Sequence, residues 1–251
     1  YGLIEQQGDH FHWDIGKEVA KDVKKGMSLS TDEAGGGHAH CGMMIYQGGQ
    51  WPNRYKGKVF TANFHGRRIN SESIVRKGAG FIGKHEPDFM KVRDLWFRGV
   101  ELDYDMDGTV FLLDWSDVGE CHENDGVHRT SGRIYRITYN MPKLGVHDLR
   151  KKEDEELVDL LKIENKRISR HAARLLQERS MNAKISPEGI RKLYNMQKAK
   201  KLSNRLQSLW LLYMIGETKE KELISLLDDK EEHVRVWALK LLVDNGKAII
   251  V

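Results

Sequence analysis

The sequence predicts a β region followed by an α region, and three observations carry that prediction. Up to Tyr139, apolar residues recur with period two in short runs separated by glycine-rich turns. From Glu155 the apolar period lengthens to that of amphipathic helices. Nine of the eleven histidines fall within positions 1–150, most of them beside an expected strand end, so the polar chemistry is concentrated in the β region.

The β region repeats a pattern of three strands. In the first copy the strands are expected at about 42–47, at 58–63 and from 67 onward; in the second they are expected at about 98–104, 109–114 and 132–138. Successive strands of an antiparallel meander reverse direction, so the start of the first strand and the loop from the second to the third lie at one end. That end collects His38, His40, Asn63, His65, Arg67 and Arg68 from the first copy. From the second it collects Trp96, Arg98, Asp114, Trp115, Glu120, His122, His128 and Arg129. Units of about 40 to 60 residues suit β-propeller blades. The region holds about three such units, fewer than the four of the smallest closed propeller. The expectation is therefore a partial β-propeller over residues 1–142, with the missing blades preceding Tyr1 or supplied by a partner chain. The chain opens without Met in mid-pattern, which reads as a segment of a longer protein.

Residues 143–154 are polar and read as a linker, and residues 155–251 as helices. Three segments align, beginning at Ile168, Leu206 and Val234, at spacings of 38 and 28 residues. Each follows another amphipathic segment, at 155–162, 187–197 and 220–227, and Pro187 sits where a first-turn proline is tolerated. Helix pairs at this spacing predict a short α-solenoid similar to HEAT repeats, with an irregular helical bundle as the alternative. The third pair carries the acidic-x-x-Val-Arg pattern best, at Glu231 to Arg235.

Composition narrows the function classes. The formal net charge is +4 and acidic and basic residues are interspersed, which argues against a nucleic-acid surface. No apolar run approaches the roughly 18 residues of a membrane helix. The two cysteines, Cys41 and Cys121, are too few for a disulfide framework; they could pair with each other or remain thiols.

The runs GGGHAHCGMMIYQGGQWPNRYKGKVFTANFHGRRIN, HEPDFM, DLWFRGVELDYDMDGTVFLLDWSDVGECH and HRTSGRIYRITY carry a family resemblance. They resemble the C-terminal blades of the bacterial membrane-bound dehydrogenase family, which is similar to soluble glucose and sorbosone dehydrogenases that use pyrroloquinoline quinone (PQQ). In that family the propeller is often followed by HEAT repeats and then a cytochrome c domain. The resemblance implies a periplasmic or envelope-associated oxidoreductase. It would take a sugar or alcohol as substrate, PQQ as cofactor and a cytochrome c as electron acceptor. It covers residues 8–139. Two departures stand out: there is no Cys-x-x-Cys-His haem motif, and the early blades that carry the catalytic histidine in related enzymes are not in this chain.

The candidate site residues follow from both readings. Arg67, Arg68, Arg98 and Arg129, with His38 and Trp96, are the candidate cofactor contacts, because guanidinium groups meet carboxylates in a two-pronged fork and PQQ is a tricarboxylate. Each arginine could instead pair with Asp114, Asp117 or Glu120 to hold the loops. His40, His65, Asp114 and His128 are the candidate general bases. His10-x-His12 and His38-x-His40 have a spacing that places both rings on one face of a strand, where they could hold a metal or only brace glycine-rich loops. Asp103, Asp105 and Asp107 imitate the start of a calcium loop, with a plain Asp-Gly hairpin turn as the rival explanation. Trp51, Trp96 and Trp115 could stack on a sugar or quinone ring or pack in the core. The expected function is thus a share of a PQQ-dependent dehydrogenase propeller. The alternative is a non-catalytic glycan-binding or protein-binding propeller whose helical repeats dock a protein partner.

Overall fold

The computed structural model describes residues 40–64, 66–116, 130–140 and 148–244. The chain divides into two compact units between Gly145 and Val146, the first built of strands and the second of helices. The order is β followed by α, as expected.

Among the described residues, the first unit contains two antiparallel sheets. One holds β1 (His40–Ile45), β2 (Val59–Asn63), β3 (Arg68–Lys77) and β4 (Gly80–Lys91), in the order β1-β2-β3-β4. The other holds β5 (Gly99–Tyr104), β6 (Val110–Asp114) and β7 (Arg133–Ile137), in the order β5-β6-β7. Six of the seven strands lie within two residues of their expected positions. β4 is the unforeseen one. Gly80, Gly83 and Pro87 break its strand pattern, and the register with β3 shifts between Ile69 and Ser71, where residues 87–89 bulge out of the ladder. Pro87 lies within that bulge, where the ladder does not require its missing N–H. Among the described residues the two sheets do not form a closed propeller.

The sheets share one core. Met44, Tyr46, Phe60, Ala62 and Ile69 from the first meet Phe97, Leu102, Tyr104, Val110 and Leu112 from the second, all buried. Period-two alternation turns these residues inward and leaves Phe111 and Leu113 of β6 exposed on the far face. β1 and β5 lie side by side where both strands bulge. At the β1 bulge Gly42 has φ +55°, and a Cβ there would fall 2.5 Å from Glu101 Cα, so only glycine permits this approach. At the other end of the strands, fully buried Tyr46 binds the sheets together. Its hydroxyl donates to Gly108 O at 2.9 Å and accepts from Gln50 N at 3.1 Å and Trp51 N at 2.9 Å.

Among the described residues, the second unit has six α-helices: α1 (Asp154–Leu160), α2 (Lys166–Ser180), α3 (Pro187–Gln197), α4 (Leu202–Met214), α5 (Glu220–Ser225) and α6 (Glu232–Val243). Asn165 caps α2 by accepting from Arg167 N and Ile168 N; Ser186 caps α3, with Pro187 in the first turn. The helices pack as the three expected pairs, α1–α2, α3–α4 and α5–α6, with further contacts from α1 to α3, α2 to α4 and α4 to α6. Successive pairs share one device. Buried Ser169 donates to Leu161 O at 3.1 Å, and buried Ser208 donates to Leu193 O at 2.6 Å, each tying the second helix of a pair to the first. The core begins earlier than expected: Leu149, in the segment read as linker, is buried in it.

Candidate functional site

The strand registers bring the polar ends into two rows. In the four-stranded sheet the row runs His40↔Asn63, Asn63↔Arg68 and Arg68↔Lys91. In the three-stranded sheet it runs Gly99↔Asp114 and Asp114↔Arg133. Each row closes its sheet at the end away from Tyr46.

The first row is a relay of side chains. Asn63 is fully buried, and its Oδ1 accepts from Gly66 N at 2.7 Å. That bond fixes the amide, so Asn63 Nδ2 donates to Asn70 Oδ1 at 3.1 Å and to His40 Nε2 at 3.2 Å. His40 Nε2 is therefore the acceptor, which places the proton of the neutral ring on Nδ1. Asn70 passes the relay to Asp88 Oδ1 at 2.8 Å, and Asp88 Oδ2 accepts from Arg68 Nη1 at 2.9 Å. Lys91 Nζ lies 3.5 Å from the same carboxylate, and His85, which bonds Glu72 at 2.7 Å, lies 3.8 Å from it.

The second row is built on one carboxylate. The side chain of Asp114 is fully buried; Oδ1 accepts from Arg98 N at 2.7 Å and Ser116 N at 2.9 Å, and Oδ2 from Arg133 Nε at 2.7 Å. Arg133 reaches on to Asp94 Oδ2 at 2.6 Å. The Arg98 guanidinium donates to Leu95 O and Phe97 O, both at 3.0 Å, and its carbon lies 5.7 Å from the centre of the Phe64 ring. Ser116, at φ +55°, turns the chain out of β6.

The rows meet at Asp94. Its carboxyl is held below the usual aspartate range by the Trp96 N–H bond first and by Arg133 second, with Arg67 adding to the positive field. Arg67 sits at φ +49°, an uncommon conformation for a residue with a Cβ, and its carbonyl accepts from Val92 N at 2.9 Å. Among the described residues its guanidinium has neither a hydrogen bond nor an ion pair within range, whereas those of Arg68, Arg98 and Arg133 are all engaged. Among the described residues of this edge, Arg67, Arg68, Lys91, Arg93, Arg98 and Arg133 outnumber Asp88, Asp94 and Asp114.

The other candidates are placed as follows. Trp96 is half-buried and Trp115 exposed, while Trp51 is core, stacked between Tyr46 at 4.5 Å and Phe89 at 4.7 Å. Asp103 and Asp105 each accept from the next backbone N–H, and Asp107 accepts from Thr109 N at 2.9 Å and Arg136 Nη2 at 2.7 Å. The β5–β6 turn closes through Asp105 and Thr109 with Gly108 at φ +80°, so hairpin geometry accounts for these three aspartates. Among the described residues no three His, Cys, Asp or Glu side chains converge to hold a metal ion. The Cys41 thiol is pushed up by burial and by Glu101 and lies 3.5 Å from Gly99 O, an inter-sheet contact rather than an activated nucleophile. His10, His12, His38, His65, Asp117, Glu120, Cys121, His122, His128 and Arg129 lie outside the described residues. Sequence reasoning missed Asp88, Asp94 and Arg133. Only the last had a local signal, as the residue opening the strand after the Asp114 loop.

Residues 14–141 match the family described as a domain of unknown function, DUF7133, and the chain belongs to that family. The match spans both sheets and ends just after β7. No curated protein matches the chain. No solved structure matches it.

Proposed function

We propose that the two sheets are the C-terminal blades of a quinoprotein-type β-propeller and that their polar edge is a ligand-binding surface with Arg67 as its anion contact. The ligand-binding part rests on one observation: among the described residues Arg67, unlike Arg68, Arg98 and Arg133, keeps an uncommitted guanidinium, on a backbone held in the left-handed region. The dehydrogenase part rests on the family resemblance. In that reading a sugar or alcohol is oxidised and electrons pass to a cytochrome c domain or protein, in the periplasm or cell envelope. The helix pairs form a HEAT-like solenoid that docks a protein partner. No described helix is long and apolar enough to cross a membrane.

The described residues suit one carboxylate of PQQ. Arg67 would hold it by a two-pronged contact, and Trp96 stands on the same edge. The remaining candidates, His38, His65, His128 and Arg129, lie outside the described residues. When bound, PQQ supplies the electron-accepting quinone. The chain's own residues supply positioning. Asp114 has both oxygens engaged and orients Arg98, Ser116 and Arg133 rather than receiving a proton, and His40 is bound through Nε2 to Asn63. That saturation favours the second reading, a non-catalytic propeller that recognises a carboxylate-bearing glycan or protein.

The test is a PQQ titration of the full chain by tryptophan fluorescence, with and without calcium, beside the variant Arg67→Gly. Glycine tolerates the left-handed backbone, so the substitution removes the guanidinium without straining the loop. The expected result is roughly tenfold weaker binding in the variant, about 1.4 kcal/mol. Dye reduction with a panel of sugars then separates the readings. Binding without turnover favours the non-catalytic propeller, and no binding at all removes the quinone reading.

A further inference from the structure

We propose that the β3–β4 hairpin is an arm that docks a second copy of this chain, each copy laying its arm on the outer face of the other's three-stranded sheet. The proposal goes beyond the ligand reading and does not depend on it.

The arm is built by unequal pairing. β2 pairs with β3 over Arg68–Glu72, whereas the β3–β4 ladder runs on to Lys77↔Gly80. The residues past Glu72 carry the two-stranded ribbon about 16 Å further. Cross-strand pairs alternate along it: Ile74 with Gly83 and Arg76 with Phe81 on one face, Val75 with Ile82 on the other. Ile74 is 48% and Phe81 56% exposed. A two-stranded ribbon has little stability of its own, and apolar side chains held outward on it mark a contact surface. The arm is also basic: residues 73–84 hold Arg76, Lys77 and Lys84 and no acid.

The outer face of the three-stranded sheet is its complement. Leu113 pairs with Glu101 on one side and Ile134 on the other, and Phe111 with Asp103 and Arg136, so these six side chains share a face. Phe111 and Leu113 are exposed, and Ile134 is 70% exposed. Residues 101–113 carry Glu101, Asp103, Asp105 and Asp107 and no base, while Arg136 is bound to Asp107 at 2.7 Å. An apolar strip bordered by acids thus matches an apolar ribbon bordered by bases.

The placement of the two surfaces favours a second copy. Ile45, Val59 and Glu72 stand in register at the base of the arm, and the neighbouring Tyr46 hydroxyl donates to Gly108 O in the β5–β6 turn. Arm and acidic hairpin therefore leave the unit at the same end. A two-fold axis near that end lets each copy give an arm and receive one, a closed contact that counts twice toward the roughly 800 Å² per partner of a standard interface. A lipid layer fits less well, because Arg76 and Lys77 stand nearer the turn than Ile74, so insertion would lead with the charges.

Sedimentation equilibrium of the full chain over a concentration series tests the proposal. The expected result is a monomer–dimer equilibrium. Arg76→Glu with Lys77→Glu should weaken the dimer roughly tenfold, as should Glu101→Lys with Asp103→Lys, and all four together in one chain should restore it. That restoration also shows that each altered chain folds. Phe81→Ser should weaken the dimer without changing its charge. A monomer at every concentration, a dimer that ignores either charge reversal, or a combined variant no better than its halves would overturn the proposal. So would a monomeric chain that binds phosphatidylglycerol vesicles and loses them on Phe81→Ser, which would assign the arm to lipid.

Discussion

The two sheets finish their polar edges by different chemistry. The four-stranded sheet passes hydrogen bonds from side chain to side chain, His40 to Asn63 to Asn70 to Asp88, and ends on Arg68. The three-stranded sheet gathers two backbone N–H groups and one guanidinium on the single carboxylate of Asp114. A relay shares its bonds among several side chains, so losing one member leaves each neighbour short of a single bond, although Asn63 and Asn70 are themselves buried. A buried hub has no such sharing: removing it strands buried donors at once. The second edge should therefore be the fragile one and the first the adaptable one.

The largest expected effect tests the hub. Asp114→Ala leaves two buried N–H groups and Arg133 without their acceptor and should cost about 3–5 kcal/mol in urea unfolding. Next comes Tyr46→Phe at the opposite end of the strands, where Gln50 N, Trp51 N and Gly108 O all lose a partner; about 1–3 kcal/mol is expected from the same measurement. Asp88→Asn probes the relay. It removes the charge facing Arg68 but keeps an acceptor for Asn70, and about 1 kcal/mol is expected. A loss at Asp88 equal to that at Asp114 would erase the distinction between hub and relay.

The smallest effect is in acid. Asp94 is held below its ordinary value by the Trp96 N–H and Arg133. In Asp107, burial pushes the carboxyl up, but the bonds from Thr109 and Arg136 outweigh it and hold it down. Both belong to the second edge and its hairpin. A carboxyl whose folded value is depressed stabilises the fold fully above its unfolded value, about 3.9 for Asp. That contribution is lost as pH falls through the depressed value. Carbon-detected titration should show both aspartates still charged below pH about 3.9. Urea midpoints should then decline as pH drops further, and Asp94→Asn should weaken that dependence.

Much of this was legible in the sequence, for reasons that also explain the gaps. Period-two runs and glycine turns placed six strands, and the reversal of a meander set Asn63, Arg68, Asp114 and Arg98 at one end. β4 was hidden because Gly80, Gly83 and Pro87 interrupt its alternation. The bulge around Pro87 also shifts parity, so no alternation rule could tell that Asp88 turns toward Arg68 and Asn70. Pairing was equally hidden. Arg68, Arg98 and Arg67 look alike in the sequence, yet the first binds a carboxylate, the second binds two carbonyl groups and the third is left available. The helices were read well because each pair carries its own apolar face. Leu149 was missed because a single core leucine in a polar stretch has no period.

One measurement tests the central claim, that this edge is a binding surface served by Arg67 while Arg68, Arg98 and Arg133 are structural. Side-chain arginine NMR spectra of the full chain would be recorded during a PQQ titration. The account predicts that the Arg67 Nε signal shifts and saturates while those of Arg68, Arg98 and Arg133 stay in place. Shifts in the three engaged arginines with Arg67 unmoved, or no shift in any of them, would contradict it.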